Sequence, residues 1–199
     1  MPHSPAHDDP LAELARGVAD GRRDAAQALA AALAPRALGV ARRILGPGDP
    51  DVEDAAQDSL VAVLRALGQF RGECSVVHYA TRIAARTCLE RRRRARERGD
   101  VPWAELALDA VTDESAAAAR RRQAVRELVA ELPVEQAETL LLRVVLGMSL
   151  PEVAAITGAP VNTVRSRIRI AKQQLRSRIE GLCAHAPDAW AGRAAGGVA

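Results

Sequence analysis

The residues best suited to chemistry lie near the carboxyl end: Asn162, Thr163, Arg165, Ser166, Arg167, Arg169, Lys172 and Arg176 all fall within residues 162–176. Their chemistry is hydrogen bonding to nucleic acid. Arginine takes guanine bidentately, asparagine pairs with adenine, and serine serves either base. Val161, Val164, Ile168, Ala171 and Leu175 recur at helical spacing and predict a buried stripe. Asn162, Arg165, Ser166 and Arg169 then share the opposite, outward side, where Arg167, Lys172 and Arg176 flank them and suit phosphate. Residues 162–179 hold no acid. A second basic set, Arg82 and Arg86 at i and i+4 with Arg93 along the same face, suits a phosphate backbone. The run from Arg91 to Arg98 reads as more of that basic surface or as a solvated face.

The elements that position these residues follow from caps and periods. Ser149-Leu150-Pro151-Glu152 has capping-box spacing, so a helix starts there and runs to Gly158, a residue suited to the left-handed position after a helix end. The turn Gly158-Ala159-Pro160 leads into the polar helix, which is the outline of a helix-turn-helix. Ahead of it, Val125, Leu128, Val129 and Leu132, then Ala137, Leu140, Leu141 and Val144, predict two more apolar helical faces. In the first half, Leu11, Leu14, Ala15 and Val18 predict a helix ending near Gly21. A second helix passes through Leu29 and Leu33, is broken or restarted at Pro35, and stops at residues 46–50. Val52, Ala56, Leu60, Val63 and Leu67 predict a third, with acids in its first turns, where the helix dipole favours them. Residues 68–75 read as a loop and residues 76–94 as a fourth helix.

The expected fold is therefore all-α: two small helical domains, residues 11–98 and 123–182, joined by a flexible linker over 99–122 and flanked by disordered tails at 1–10 and 183–199. Apolar residues make up 48% of the chain and aromatics only 2%, which favours Ala- and Leu-rich helices over strands. The formal charge of +3 hides a polarity. Eight arginines against two glutamates crowd residues 82–98, while Asp49, Asp51, Glu53, Asp54 and Asp58 gather just upstream of the third helix and within it.

Catalysis and metal binding lack a residue set. His3, His7 and His185 fall in the expected tails, which leaves His78 alone, and Cys74, Cys88 and Cys183 have no ligand-like spacing. The odd cysteine count, and a start without the basic and apolar run of a leader, predict a reduced cytoplasmic setting. No apolar run is long enough for membrane insertion.

Several motifs resemble a known family. Glu131-Leu132-Pro133, Leu140-Leu141-Leu142-Arg143, Gly147-Met148-Ser149, Glu152-Val153-Ala154 and residues 160–167 look like region four of the extracytoplasmic-function sigma factors. Ala34-Pro35-Arg36, residues 41–46, residues 51–58, Phe70-Arg71-Gly72-Glu73 and Arg82-Ile83-Ala84 look like region two. The resemblance implies a factor that directs RNA polymerase to promoters. Region two would dock on the polymerase and melt the minus-ten element, and region four would read the minus-thirty-five element.

Carried over to this chain, Asp54, Gln57 and Asp58 match the clamp-docking motif. Phe70, Arg71, Cys74 and Ser75 match the loop that captures an unstacked base of the separated strand, with Tyr79 beside it as a second stacking platform and Arg82, Arg86 and Arg93 as the basic face along which the strand's backbone would run. Asn162, Thr163, Arg165, Ser166, Arg167, Arg169, Lys172 and Arg176 match the upstream reader. Tyr79 stands where the family usually has Trp, and Arg86 where Asn is common. The implied partners are core RNA polymerase through its β′ clamp and β flap, promoter DNA and an anti-sigma factor, with no cofactor. A stand-alone helix-turn-helix repressor would explain the second domain but not the first.

Overall fold

A computed structural model describes residues 9–98 and 116–185, with side chains for all of these but 116–122 and 182–185. Residues 1–8, 99–115 and 186–199, which hold most of the expected tails and linker, lie outside the described residues. Among the described residues there are eight α-helices and no strand, divided between two compact units.

The first unit contains α1 (Ala12–Ala19), α2 (Arg23–Leu45), α3 (Val52–Ala66) and α4 (Val76–Glu97), with a 3-10 turn at Leu67–Gln69 after α3. Helices α2, α3 and α4 pack pairwise around one core, and α1 lies on α2. Leu29, Leu33, Val63, Leu67, Val76 and Ala80 form a buried cluster, with Phe70, Tyr79 and Ile83 packed against its edge. Further along, the seams are lined by Ala37, Ala41, Ala55, Ala84 and Ala85, all buried. The alanine excess in the sequence therefore serves close helix approach. Gly17 does the same where α1 crosses α2, because a Cβ there would sit 2.7 Å from the Ala25 Cβ.

The break expected at Pro35 does not occur. Helix α2 runs through that residue. An internal proline removes one backbone hydrogen bond and crowds the preceding turn, at about 3 kcal/mol or more. Leu29, Leu33, Ala37, Val40 and Ala41 are buried on both sides of Pro35, and burial of each large apolar side chain is worth about 1.5–3 kcal/mol. Packing outweighs the local penalty, and the chain leaves the helix only at Gly46, where φ is 108°.

The second unit contains α5 (Ala116–Ala130), α6 (Val134–Leu140), α7 (Leu150–Thr157) and α8 (Val161–His185), with a π turn at Leu141–Val145 between α6 and α7. Helix α5 starts inside the stretch read as linker, and α8 runs past Cys183. Leu132, Ala137, Leu141, Leu142, Met148, Val153, Val164 and Ala171 are buried where α8 packs on α6 and α7. Val144, expected on the buried face, is 58% exposed. The π turn, closed by Leu146 N–H donating to the Leu141 carbonyl at 3.0 Å, widens the helix by a residue and rotates Val144 outward.

Candidate nucleic-acid interface

The turn before α8 is built from the groups its sequence announces. The Ser149 N–H and hydroxyl both donate to Glu152 Oε2 at 2.8 Å, and the Glu152 N–H donates to Ser149 Oγ at 3.4 Å. This reciprocal cap fixes the start of α7. Gly158 ends the helix in the left-handed region at φ 71°, and its N–H donates to the Ala154 carbonyl at 2.9 Å. The Ala159 N–H donates to Thr157 Oγ1 at 3.4 Å.

Helix α8 then buries Val164, Ile168 and Ala171, with Val161 and Leu175 half-buried. Asn162, Thr163, Arg165, Ser166, Arg169, Lys172 and Arg176 are exposed and Arg167 is half-buried. Arg165 Nη1 donates to Asn162 Oδ1 at 2.9 Å, which pairs two of the base-reading candidates in the first turns of the helix.

In the first unit the loop after α3 and the first turns of α4 enclose a recess of about 190 Å³ lined by Gln69, Phe70, Arg71, Glu73, Cys74, Tyr79 and Arg82. The Phe70 and Tyr79 rings lie 4.9 Å apart, tilted by 47°. The Tyr79 hydroxyl donates to the Ala66 carbonyl at 3.0 Å, so the ring is held at one edge. Ser75 Oγ accepts from the His78 N–H at 3.2 Å and caps α4. Asp9, placed in the tail by the sequence pattern, accepts from the Val76 N–H at 2.5 Å and from the Leu11 N–H at 3.0 Å, and so ties the start of the chain to the same helix end.

The structure thus brings Phe70, Arg71, Cys74, Tyr79 and Arg82 together. Ser75 spends its side chain on the cap, and Cys74 is buried in the recess wall. Arg86 and Arg93 lie farther along α4, and Arg86 forms an ion pair with Glu90 at 3.0 Å.

Asp54, Gln57 and Asp58 are exposed on α3. The two aspartates have a partner that sequence reasoning missed. Arg91 of α4 reaches Asp51 Oδ2 at 3.2 Å, Asp58 Oδ2 at 2.9 Å and Asp54 Oδ2 at 3.9 Å through three different nitrogens. Partial burial of Arg91 disfavours its charge, but the hydrogen bond it donates to Asp51 and the fields of Asp51, Asp58 and Asp54 outweigh this and raise its pKa. Arg92, next in the same run, is buried and donates to the Ile44 carbonyl at the end of α2. The signal was helical spacing: Ala85, Leu89 and Arg92 fall at i, i+4 and i+7 on the buried face.

Cys88 is buried beside Ser59, and burial pushes its thiol pKa up to about 11. A thiol held protonated is a poor nucleophile and a poor metal ligand. Among the described residues no group of three His, Cys, Asp or Glu could hold a metal ion, and no helix is long and apolar enough to cross a membrane.

Two helical units, one carrying a helix-turn-helix with an acid-free exposed face and the other an aromatic recess beside a basic helix, define a two-part DNA-binding protein. Residues 29–98 match the family Sigma-70 region 2, and residues 122–175 match Sigma-70, region 4. The ECF RNA polymerase sigma factor SigM of Mycobacterium tuberculosis (strain H37Rv) is 30% identical over 133 residues, covering 67% of this chain and 66% of that protein. The ECF RNA polymerase sigma-E factor of Salmonella typhimurium (strain LT2) is 32% identical over 148 residues, covering 66% of this chain and 75% of that protein. Among solved structures, CnrH in complex with the cytosolic domain of CnrY aligns with a TM-score of 0.54 at 26% identity, over 84% of this chain and 96% of that one. The sigma factor RpoE of Bartonella quintana, solved with the anti-sigma factor NepR, shares the fold with a TM-score of 0.54 at 20% identity, over 77% of this chain and 96% of that one. The chain belongs to the sigma-70 family, in its extracytoplasmic-function branch.

Proposed function

We propose that this chain directs core RNA polymerase to a set of promoters and helps to open them, as a cytoplasmic binding protein and not as an enzyme. The carrying observation is the ordered match to regions 2 and 4, each with the polar set its role requires at an accessible surface. In this reading α8 enters the major groove of the upstream element. Asn162, Thr163, Arg165, Ser166 and Arg169 meet base edges, and Arg167, Lys172 and Arg176 hold phosphates. The recess lined by Phe70 and Tyr79, with Arg71 and Cys74 in its walls and Ser75 capping the helix behind it, receives an unstacked base of the separated strand. Arg82, Arg86 and Arg93 track its backbone. Asp54, Gln57 and Asp58 meet a basic helical surface of the β′ clamp, and the second unit meets the β flap. The solved complex of the Bartonella factor with the anti-sigma factor NepR makes a regulatory partner of that class part of the proposal.

The test is a gel shift on promoter DNA with and without core polymerase. Specific binding is expected only with core, since each unit offers a small DNA surface. A tight, sequence-specific shift by the chain alone would favour a stand-alone repressor instead.

A further inference from the structure

We infer that Arg91 is a positioning residue for polymerase docking: from α4 it holds the carboxylates of Asp51, the residue that precedes α3, and of Asp54 and Asp58 in one row along the start of that helix before the partner arrives. The inference rests on the docking role proposed for Asp54 and Asp58. The three acids follow one another at i, i+3 and i+7, along one face of the helix. Arg91 reaches them at 3.2, 3.9 and 2.9 Å, each through its own nitrogen, and its side chain is only 28% exposed. Asp54 and Asp58 keep 71% and 63% of their side-chain surface open. A basic partner therefore reaches their outer sides while Arg91 holds them from beneath.

The planar guanidinium can hydrogen-bond Asp51 and Asp58 at fixed angles while its remaining nitrogen faces Asp54 as a charge; an ammonium is a point charge and satisfies fewer of them. Ordering side chains before association removes part of the entropy cost of binding. Charge alone predicts the opposite effect, since Arg91 lessens the negative potential that would attract a basic surface. The sign of the change on removing Arg91 therefore decides between positioning and simple shielding.

The experiment measures affinity of the full chain for core polymerase, with helicity and thermal midpoint recorded for every variant. Arg91→Ala is expected to weaken binding about tenfold, through faster dissociation. Arg91→Lys, which keeps the charge and the fold, should fall between Arg91→Ala and the unaltered chain. In an Asp54→Asn, Asp58→Asn background, Arg91→Ala should have little further effect, whereas a loss due only to a damaged fold would persist there. Equal or tighter binding by Arg91→Ala, or a full-size effect in the Asn background, overturns the inference while the docking role stands. Unchanged core affinity for Asp54→Asn, Asp58→Asn alone overturns the docking role and the inference with it.

Discussion

Arg165 and Arg176 are both exposed on α8, yet their surroundings assign them different work. Arg165 stands in the first turns, oriented by its bond to Asn162, where a recognition helix meets base edges. Arg176 lies three turns on, beyond reach of that cluster. Arg165→Ala is expected to cost about 1–3 kcal/mol and to relax preference at one base pair, while Arg176→Ala weakens every sequence alike. Equal losses across a panel of upstream variants for both substitutions would contradict this division.

Cys88 makes a second test. Its thiol pKa is raised from 9.0 to about 11 by burial, so the unfolded chain loses this proton first. The stability that the neutral thiol supplies is fully present below pH 9 and is lost as pH rises toward 11, on the order of 2–3 kcal/mol in the first unit. Denaturation midpoints followed from pH 8 to 11 should show that slope, and Cys88→Ala should flatten it. The outward set on α8 was legible because the apolar stripe beneath it has a clean helical period. The role of Arg91 was not: its tie to Asp51 and Asp58 spans 40 and 33 residues, and no local pattern encodes a contact of that kind.

Helix ends were read well where a side chain or a glycine announces them, as at Ser149 and Gly158, and poorly where packing decides. Pro35 and the π turn at Leu141–Val145 are cases of tertiary burial overriding a local rule. Ser149→Ala removes both Ser149 hydroxyl contacts with Glu152, the bond accepted from its N–H and the bond donated to its carboxylate. It should destabilise the second unit by about 1 kcal/mol, seen as a lower urea midpoint. In the first unit, Gly17→Ala would force the new Cβ to within 2.7 Å of the Ala25 Cβ, so α1 must move off α2. Overpacking of this kind costs about 1–3 kcal/mol. An unchanged midpoint for Gly17→Ala would mean that the crossing yields freely.

For the molecule as a whole, two units with separate cores carry separate basic surfaces, and one acidic cluster, Asp49, Asp51, Glu53, Asp54 and Asp58, lies just before α3 and in its first turns. This division gives a salt signature. Binding of promoter DNA should fall on the order of a thousandfold between 50 and 200 mM salt if about six phosphates are neutralised. The acidic face bears on choice of variant. Arginine at positions 54 and 58 would crowd Arg91, which lies 2.9 Å from Asp58, so asparagine is the milder substitution.

The most direct measurement is single-round run-off transcription by purified core polymerase on a promoter this chain serves. Transcript should depend on the chain, fall with Arg165→Ala through loss of upstream recognition, and fall with Asp54→Asn, Asp58→Asn through loss of core binding. A chain that binds core polymerase but yields no promoter-dependent transcript, or transcript indifferent to both sets of substitutions, would contradict the account.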